Sequence, residues 1–554
     1  MKNSHSFINL TPMSLVERGG IVFSDKIAVI SDNKKISYKQ LISTSRRFAR
    51  MLADVGVNYG DHVGLLTHNS LSGLQAHYAI PAIGGVIVSL NPWLQFNELV
   101  KQIEFSNIKV LLISEILFLK HSKMMNRISA KNTVIVLDAK IAIHEKNTLD
   151  LESIISNYDD MRPLDSDIRC ENDAIAINFT SGTTGNPKAV IYTHRAAYLH
   201  AIGQVLMINL NTSSKYYWSL PMFHVNGWGH MWAAPMVGAE QYIDANENDQ
   251  ASPSMAIRVR ELQISHLAGS PRLVRQITDA IDGNSDISFK GLTILTGGAS
   301  PTPSLIEKTQ AHSINLIHQY GLNETCGPYV VCEPQDKWSL LSKHDATRKR
   351  LQQGVPAIHA GTGLRVVDNN KIEVPRDGVT MGEVIMAGNT LAKEYYNNAK
   401  ANEETFIDGW FYSGDIAVVD EDGYIQIKDR KKELIHVTTA YGWENVSSLE
   451  IEAAISQVPC IIDVAVVGAL LEGGDHLVIA FFEAKDVDFD VSVMLEKYCE
   501  KILVSYKVPR YFFEYKLPKT ETGKIRKNIL QGIALDKISS KKAQCVAGYL
   551  EPEV

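Results

Sequence analysis

The chain has 554 residues, a formal net charge of −7 at pH 7, 45% hydrophobic residues and 21% charged residues. A chain of this length is too long for one compact core, so we expect several domains. The acidic balance argues against a nucleic-acid-binding protein, and the hydrophobic content argues against global disorder.

The sequence has no signal for secretion or membrane insertion. MKNSHSFINLTP at the N-terminus has no apolar core, no segment approaches the ~18 apolar residues of a membrane span, and EPEV at the end is not a peroxisomal address. The 6 cysteines are scattered without a C-x-x-C pair, and no metal cluster is visible. We therefore expect a cytoplasmic protein with reduced thiols.

Short runs rich in Val and Ile alternate with helix-length segments along the first part of the chain. The helix-length segments include YKQLISTSRRFARMLADVG, which is periodic. The strand candidates are KIAVIS, HVGLL, GGVIVSL, VLLIS, TVIVLD and AIAINF. The alternation predicts an α/β fold with mostly parallel sheets, in which ligands bind where strands end and loops converge.

The pattern changes after GEVIMAGNTLAKEYY. AVVDEDGYIQIKD contains a turn at Asp422 and Gly423, and IDVAVVG, HLVIAFFEA and VPRYFFEYKLPKT follow as further strand-like runs. These runs predict a smaller α+β domain. We place the boundary at Asp429, so that residues 1–428 form the larger domain and residues 429–554 form the smaller one.

TSGTTGNPKA (180–189) is a candidate phosphate loop. Its backbone N–H groups, its hydroxyls and the Lys188 ammonium group are suited to an anion such as a polyphosphate. It is not a Walker A loop, because Ala189 rather than a hydroxyl residue follows the lysine. The alternative is a glycine-rich turn without a ligand, between the AIAIN strand and a helix that starts near His194.

Two later stretches are candidates for binding a flat ligand such as a base. TGGAS (296–300) follows an apolar run, so its glycines either let a flat ligand lie against the backbone or form a tight turn. YGLNETCG (320–327) places Tyr320 four residues before Glu324. That pair either stacks a base and binds magnesium, or belongs to core and surface.

Two further stretches stand near and beyond the domain boundary. WFYSGD (410–415) ends a turn with a carboxylate that is suited to ribose hydroxyls, although a helix cap or turn aspartate is the common alternative. PKTETGKIRK (518–527) carries Lys524 after a Thr-Gly turn. A lone lysine there is usually a solvated surface residue.

Taken together and in this order, these stretches resemble the adenylate-forming superfamily of acyl-CoA synthetases, peptide synthetase adenylation domains and beetle luciferases. The resemblance extends from about LTPMSLVERGG to TETGKIRK, nearly the whole chain. LPMFHVNGWGHMW and YGLNETCGPYVVCEPQDKW are most similar to acid–CoA ligases of short- to medium-chain, aryl or alkyl acids. The resemblance to the superfamily implies an α/β N-terminal domain of stacked sheets with a small β-barrel-like subdomain. It also implies a mobile C-terminal α+β domain.

The resemblance implies that a carboxylate attacks the α-phosphate of ATP, and that a nucleophile then displaces AMP from the acyl-adenylate. The implied catalytic residues are Lys524, Glu324 and Lys188, with Glu324 also binding Mg²⁺ and Asp429 acting as the hinge. Lys524 would bridge the substrate carboxylate and the α-phosphate. The implied nucleotide-binding residues are Thr180, Ser181, Gly182, Thr183, Thr184, Gly185, Gly297, Gly298, Ala299, Tyr320, Gly321, Asn323, Asp415 and Arg430.

The acid pocket is expected around LPMFHVNGWGHMW, with a floor near residues 297–301. Its implied residues are His224, Val225, Asn226, Gly227 and Trp228. A buried apolar channel closed by His224 and Trp228 suits an uncharged aliphatic or aryl tail. His224 is alternatively a core histidine, and we interpret His194, His230 and His318 as structural.

The sequence departs from the superfamily pattern at two main places. Asn323 replaces a threonine, so we expect altered rather than absent nucleotide binding. DRKKELIHVTTAYGWENVSSLEIE is longer than its counterparts, lacks their Gly-Gly pair and brings in His436, Tyr441 and Trp443. This segment is either a surface insertion or a rebuilt tunnel for the second substrate. Ala189 and the KEYY sequence at 393–396 are lesser changes.

We therefore expect a ligase that uses ATP, Mg²⁺ and CoA to activate a small-molecule carboxylic acid. The first alternative is an enzyme that passes the acyl group to an amine or to a carrier-protein thiol. The second is a non-catalytic nucleotide-binding protein, against which the retained Lys524 argues. A homodimer is a further expectation, because many members of the superfamily are dimers.

Overall fold

A computed structural model describes most of the chain. The described residues are 7–31, 34–140, 147–180, 187–244, 253–282, 289, 291–439, 442–470, 476–519 and 525–547. The chain divides into two compact units, of which the first comprises Met1–Thr180, Lys188–Leu364 and Met386–Phe411. The second comprises Ser181–Pro187, Arg365–Ile385 and Tyr412–Val554.

The strands, in chain order, are β1 (Ile27–Ser31), β2 (Lys34–Ser37), β3 (His62–Leu66), β4 (Val86–Ser89), β5 (Val110–Ser114), β6 (Thr133–Leu137), β7 (Thr148–Asp150), β8 (Ala174–Phe179), β9 (Ala189–Thr193), β10 (Lys215–Tyr217), β11 (Glu240–Ile243), β12 (His266–Gly269), β13 (Thr293–Thr296), β14 (Asn315–Leu322), β15 (Gly327–Val331), β16 (Val355–Pro356), β17 (Leu364–Val367), β18 (Gly382–Met386), β19 (Glu394–Tyr395), β20 (Phe406–Ile407), β21 (Trp410–Val419), β22 (Ile425–Arg430), β23 (Ile435–Thr439), β24 (Gly442–Val446), β25 (Ile461–Leu470), β26 (His476–Ala484) and β27 (Tyr511–Glu514).

The helices are α1 (Pro12–Val22), α2 (Tyr38–Asp54), α3 (Leu71–Ala82), α4 (Phe96–Phe105), α5 (Glu115–Lys120), α6 (Ser122–Ser129), α7 (Leu151–Ile154), α8 (His194–Ile208), α9 (Val225–Trp228), α10 (His230–Val237), α11 (Pro253–Glu261), α12 (Pro271–Asp282), α13 (Pro303–Ala311), α14 (Lys343–Leu351), α15 (Ala399–Thr405), α16 (Ser448–Ile455), α17 (Val491–Ile502) and α18 (Lys527–Ala547). None of these described helices is long and apolar enough to cross a membrane.

The first unit contains two large, mostly parallel sheets. Counting described residues only, one sheet has nine strands in the order β16-β15-β14-β13-β12-β10-β11-β1-β2, and the other has eight in the order β19-β9-β8-β4-β3-β5-β6-β7. The largest core joins residues of both sheets to helices α1, α2, α3, α8 and α10. The predicted α/β fold of stacked sheets is confirmed.

The strand and helix positions follow from local sequence. The runs that the sequence analysis took as strands form β1, β3, β4, β5, β6 and β8. The β5 run VLLIS is buried along most of its length, as expected for a strand covered on both faces. Helix α2 begins at a capping box of Ser37 and Gln40, and its apolar face buries Leu41 and Phe48.

The second unit consists of small sheets and helices. Strands β17, β18, β21 and β22 supply an open sheet, the predicted small β subdomain. Strands β25, β26 and β27 form a three-stranded sheet that packs with α16 and α18, as the predicted α+β domain requires. The hairpin turn predicted at Asp422 and Gly423 is confirmed between β21 and β22, where Gly423 has a φ of +84°.

Candidate active site

The ends of the candidate phosphate loop are fixed by an antiparallel strand pair. Phe179 at the end of β8 lies opposite Ala189 at the start of β9. The Thr180 N–H donates to the Lys188 carbonyl at 2.8 Å, and the Lys188 N–H donates to the Thr180 hydroxyl at 3.0 Å. The five predicted loop residues between them, Ser181, Gly182, Thr183, Thr184 and Gly185, lie outside the described residues.

A strand that was not predicted from the sequence separates this loop from the helix at His194. The β-branched and aromatic run AVIYT forms the fully buried strand β9 after the loop. Helix α8 begins at His194, as predicted, but only after this strand, with Thr193 as its N-cap. The loop is therefore held at both ends by strands, and not at the N-terminus of a helix.

Lys188 and Glu324 are brought together by a third residue, Tyr395. The Lys188 ammonium nitrogen lies 4.3 Å from the centroid of the Tyr395 ring, an attractive cation–π geometry. The Tyr395 hydroxyl donates a 2.8 Å hydrogen bond to Oε1 of Glu324. Tyr395 itself is buried, whereas Lys188 and Glu324 are half-buried. The tyrosine therefore places an ammonium group and a carboxylate on either side of one ring.

Backbone hydrogen bonds hold Tyr395 in this place. Strand β19 pairs antiparallel with β9, so that Tyr395 lies opposite Val190. The Tyr396 N–H donates to the carbonyl of Ala189, and the Ala392 N–H donates to the carbonyl of Glu324 at 2.7 Å. The sequence analysis missed Tyr395, because the KEYY sequence was noted only as a lesser departure.

The turn that carries Glu324 is fixed by side chains. Residues 323–325 form one 3₁₀ turn, in which the Leu322 N–H donates to the Thr325 hydroxyl at 2.8 Å. The Asn323 side-chain amide donates to the carbonyl of Phe179 at 3.0 Å. Asn323 therefore ties this turn to the end of β8, next to Thr180, and serves as a positioning residue.

The donor set fits the predicted magnesium ion. Mg²⁺ is usually bound by one or two carboxylates together with substrate phosphates and water. Glu324 supplies one such carboxylate, held by Tyr395 at one of its oxygens. In the described part of the chain no group of three or more His, Cys, Asp or Glu side chains forms an all-protein metal site.

The predicted adenine-binding residues lie at the carboxyl ends of two neighbouring parallel strands. Thr296 of β13 pairs with His318 of β14, so the residues after β13 lie beside the end of β14. A side chain at Gly297 would meet Nε2 of Gln319 at 2.0 Å, and one at Gly321 would meet the carbonyl oxygen of Gly327 at 2.1 Å. These two positions therefore require glycine. Gly298 has a φ of +83°, and Gly298 and Ala299 are exposed, while Tyr320 is half-buried.

The predicted acid-pocket residues form the short helix α9 and its cap. The N–H of Asn226 donates to Nδ1 of His224 at 3.3 Å, and burial lowers the pKa of His224 to about 4. The Asn226 amide nitrogen would lie 3.6 Å from a Cβ at Gly298, so this segment adjoins the glycine turn. Val225, Gly227 and Trp228 are buried.

The surroundings of Trp228 do not match its predicted role of closing the acid pocket. Its ring packs edge-on against Tyr192 at 5.1 Å and Trp232 at 5.5 Å, and its side chain is fully buried. Trp228 is therefore part of an aromatic core cluster behind α9. His194 and His318 match their structural interpretation, because His194 lies 2.9 Å from the Thr11 hydroxyl and His318 lies 3.0 Å from the Gln352 carbonyl.

In the second unit, Asp415 and Arg430 are neighbours. They pair across β21 and β22, and Oδ1 of the buried Asp415 lies 2.7 Å from Nε of Arg430. The interpretation of WFYSGD as a turn is wrong. Its aromatic residues favour a strand, and β21 runs through it with a local positive φ of +71° at Gly414.

Asp429, the predicted hinge residue, is buried at the end of β22. Its carboxylate accepts hydrogen bonds of 2.6 Å from both the N–H and the hydroxyl of Ser448, at the start of α16. Lys527 contacts the same hydroxyl and forms a 2.7 Å ion pair with Glu452. Burial alone would lower the pKa of Lys527, but the neighbouring carboxylates raise it. The predicted catalytic Lys524 lies outside the described residues.

The long segment after Asp429 forms a β-hairpin. Strands β23 and β24 pair from Ile435 opposite Val446 to Thr439 opposite Gly442, and Ile435 and Val446 are buried in the core of the second unit. Nδ1 of His436 lies 2.7 Å from Oδ1 of Asn445 across the hairpin. Tyr441 and the side chain of Trp443 lie outside the described residues.

Comparison with known families and proteins agrees with this geometry. The family described as AMP-binding enzyme matches residues 17–396, and the AMP-binding enzyme C-terminal domain matches residues 450–524. Acetate–CoA ligase CCL3 of Humulus lupulus is 31% identical over 98% of both chains. 4-Hydroxybutyrate–CoA ligase 2 of Metallosphaera sedula is 31% identical over 96% of both chains.

Solved structures of the same fold include two CoA ligases. The anthranilate CoA ligase AuaEII in complex with anthranoyl-AMP has a TM-score of 0.81 at 21% identity, covering 96% of this chain and 99% of that one. The O-succinylbenzoate CoA synthetase of Bacillus subtilis in complex with ATP and magnesium has a TM-score of 0.76 at 22% identity, covering 93% and 98%. These likenesses confirm the fold.

Proposed function

Because the chain belongs to the AMP-binding enzyme family, we propose that it is an ATP-dependent acid–CoA ligase. The membership confirms the resemblance to the adenylate-forming superfamily. The observation that supports the activity is the arrangement of Lys188, Tyr395 and Glu324 beside the ends of the loop at Thr180. The cytoplasm is the location that we propose.

The first half-reaction is acid activation. The carboxylate of the acid attacks the α-phosphorus of ATP, the bond between the α- and β-phosphates breaks, and pyrophosphate leaves. Thr180, Lys188 and the loop between them hold the β- and γ-phosphates, and the ammonium group of Lys188 balances the charge of the departing pyrophosphate. Lys524 stabilises the charge between the carboxylate and the α-phosphate. Magnesium, when bound at Glu324, screens the phosphate charges.

The arrangement suits a trianionic leaving group for an electrostatic reason. Lys188 faces an aromatic ring and forms no ion pair with any described residue, so no described carboxylate neutralises its charge directly. Tyr395 also holds one oxygen of Glu324, which fixes the direction of the carboxylate before a ligand arrives. Such preorganisation avoids reorientation during the reaction.

The second half-reaction is thioester formation. The thiol of CoA attacks the carbonyl carbon of the acyl-adenylate, the bond to the phosphate oxygen breaks, and AMP leaves. The superfamily resemblance implies a change of conformation about Asp429 between the two half-reactions, with Lys524 acting in the first of them. Relatives at 31% identity are named CoA ligases, which favours CoA over an amine or carrier-protein acceptor.

The test is to incubate the protein with MgATP and carboxylic acids, with and without CoA, and to measure pyrophosphate and acyl products. We expect acyl-CoA with multiple turnovers. Lys188→Ala should slow pyrophosphate release ~10²-fold, the scale of losing one preorganised donor. Lys393→Ala is the matched control, because Lys393 is exposed and contributes only its backbone N–H to β9.

Two results would contradict the proposal in different ways. Pyrophosphate release with an acyl-adenylate that persists despite CoA would show an acceptor other than CoA, and amines and carrier proteins would be tested next. ATP binding without pyrophosphate release for any acid would support a non-catalytic protein.

A further inference from the structure

Behind the acid-pocket segment lies a group of polar side chains, the imidazole cluster, comprising the fully buried His200, Gln204 and His230 and the half-buried His359. The rings of His200 and His359 are 5.1 Å apart, and His230 stacks on Tyr216 at 4.8 Å. Their positions on α8, at the start of α10 and after β16 make this a tertiary cluster within the first unit.

Most polar atoms of this cluster have no partner. Among described residues, neither ring nitrogen of His200 or His230 and neither side-chain polar atom of Gln204 is in hydrogen-bonding geometry with another group. The Pro328 carbonyl approaches the His200 ring and the Gly227 carbonyl approaches the His230 ring, each as a poorly aligned hydrogen-bond acceptor that raises the pKa of its ring slightly against the effect of burial. His359 is fixed by one 2.9 Å contact of Nε2 with the Pro328 carbonyl, and its Nδ1 is without a partner.

Glycines surround the His200 ring. A Cβ at Gly229 would lie 2.5 Å from its Nδ1, and a Cβ at Gly327 would lie 2.3 Å from its Nε2. A Cβ at Gly203 would lie 2.0 Å from Nδ1 of His359. The two rings therefore occupy space that side chains at these positions would fill, and substitution there would displace them.

The cluster lies directly against the proposed acid site. Gly229 and His230 follow the acid-pocket residues 224–228 along the chain, and Gly327 follows Glu324 by three residues. The side chains of His200 and Gln204 both contact Gly229. The unpartnered atoms are thus next to the segment that receives the acid, on the side of α8.

We propose that the imidazole cluster hydrogen-bonds a neutral polar group on the acid, so that the substrate is a carboxylic acid whose tail carries a hydroxyl or an amide. This inference rests on the proposed function and narrows the expected uncharged aliphatic or aryl tail to one that carries a polar group. His200, His230 and Gln204 are already buried, so an apolar tail would leave their donors and acceptors without the hydrogen bonds that a polar tail can supply. A hydroxyl or amide both donates and accepts, as neutral imidazole and carboxamide groups do.

The charge of the cluster excludes an anionic tail. Burial lowers the pKa of His230 to about 4, and burial together with the neighbouring histidines lowers the pKa of His200 well below its usual range. Both rings are therefore neutral at pH 7 and supply no positive charge to a second carboxylate. A dicarboxylic acid should be a poor substrate.

The experiment compares acids of equal shape by their kcat/KM for acid-dependent pyrophosphate release. The pairs are 4-hydroxybutyrate with pentanoate, 3-hydroxybutyrate with 3-methylbutanoate, and 4-hydroxybenzoate with 4-methylbenzoate. We expect the hydroxylated member of the best pair to be preferred by at least ~10²-fold, because a site built for a hydroxyl rejects its methyl analogue. His230→Leu and Gln204→Met should each reduce this preference by at least ~10-fold.

The matched control is His77→Leu. His77 is also a buried histidine, but it lies on α3 with Nδ1 2.7 Å from the Gly73 carbonyl, outside the cluster. This variant should keep the wild-type preference even if it is less stable, since the ratio of two kcat/KM values does not depend on the fraction of folded enzyme. The KM for ATP should not change in any of the three variants.

Two contrary outcomes are distinguishable. If pyrophosphate is released but the methyl member of every pair is used as well as its hydroxylated partner, ordered water satisfies the cluster and this inference is wrong, while the ligase function stands. If no acid supports pyrophosphate release, the proposed function itself fails.

Discussion

Two clusters of charged residues, one in each unit, use their charges in opposite ways. In the first unit, Lys188 and Glu324 are half-buried and separated by the ring of Tyr395, and neither forms an ion pair with a described residue. In the second unit, Lys527 is buried against Glu452, and Ser448 joins it to Asp429. Charges left without a counter-charge are available to a charged ligand, whereas neutralised buried charges hold elements together.

The largest expected effect comes from the lysine that the sequence alone identified. Lys524→Ala should lower the rate of adenylate formation by ~10²-fold or more, because it removes a donor from the transition state. Thioester formation from added acyl-adenylate should be retained, since the resemblance assigns Lys524 to the first step. Lys516→Ala, a change at an exposed lysine just before the segment 518–527, is the control. Equal rates in both variants would remove Lys524 from catalysis.

The second prediction breaks the neutralised pair. Lys527→Met leaves the Glu452 carboxylate buried without its partner, which should lower the free energy of unfolding by about 3–5 kcal/mol. Urea denaturation of the full-length protein measures this change, provided that the unfolding transition of the second unit is monitored separately. Lys527→Met combined with Glu452→Leu should recover most of the loss, because no charge is then left unpaired. A double variant as unstable as the single one would show that packing, not charge, dominates.

The third prediction concerns the ring between the two unpaired charges. Tyr395→Phe keeps the ring over Lys188 but removes the hydroxyl bound to Glu324, so it should weaken MgATP binding about 10-fold, the scale of one hydrogen bond to a charged group. Calorimetric titration of ATP at several Mg²⁺ concentrations should show a right-shifted Mg²⁺ dependence. Tyr396→Phe is the control, because its ring contacts His62 and Phe105 instead. Identical Mg²⁺ dependence in the two variants would contradict this role.

The smallest expected effect per residue is a change in the pH dependence of stability. Burial lowers the pKa values of His77, His194 and His318 to about 4, while an unfolded histidine titrates near its ordinary value of about 6.5. Between these values the unfolded chain binds more protons, so stability is complete above about pH 6.5 and falls as the pH drops toward 4. Thermal unfolding from pH 7.5 to 4.5 measures the slope. His318→Gln should make it shallower by up to one proton, and an unchanged slope would place His318 in a solvated state.

The sequence predicted secondary structure correctly where an element depends on residues that are close together in the chain. Strands β1, β3, β4, β5, β6 and β8, the start of α8 at His194 and the Asp422–Gly423 turn follow from period, capping and turn chemistry. These predictions failed where a segment pairs as a β-strand with a distant part of the chain. The glycine-rich loop is followed by β9 and not by a helix, and WFYSGD lies inside β21, because both segments acquire antiparallel partners from other parts of the chain.

The sequence by itself determined the family, the order of its motifs and the identity of Lys188, Glu324, Asp415 and Lys524 as candidates, because these depend on residue types at fixed spacing. Only the tertiary structure decided which other residues hold these side chains in place. Tyr395 reaches Glu324 across 71 positions of the chain, and His200 meets His359 through the packing of α8 against a distant turn. Such contacts depend on which elements pack together, and no local periodicity records that packing.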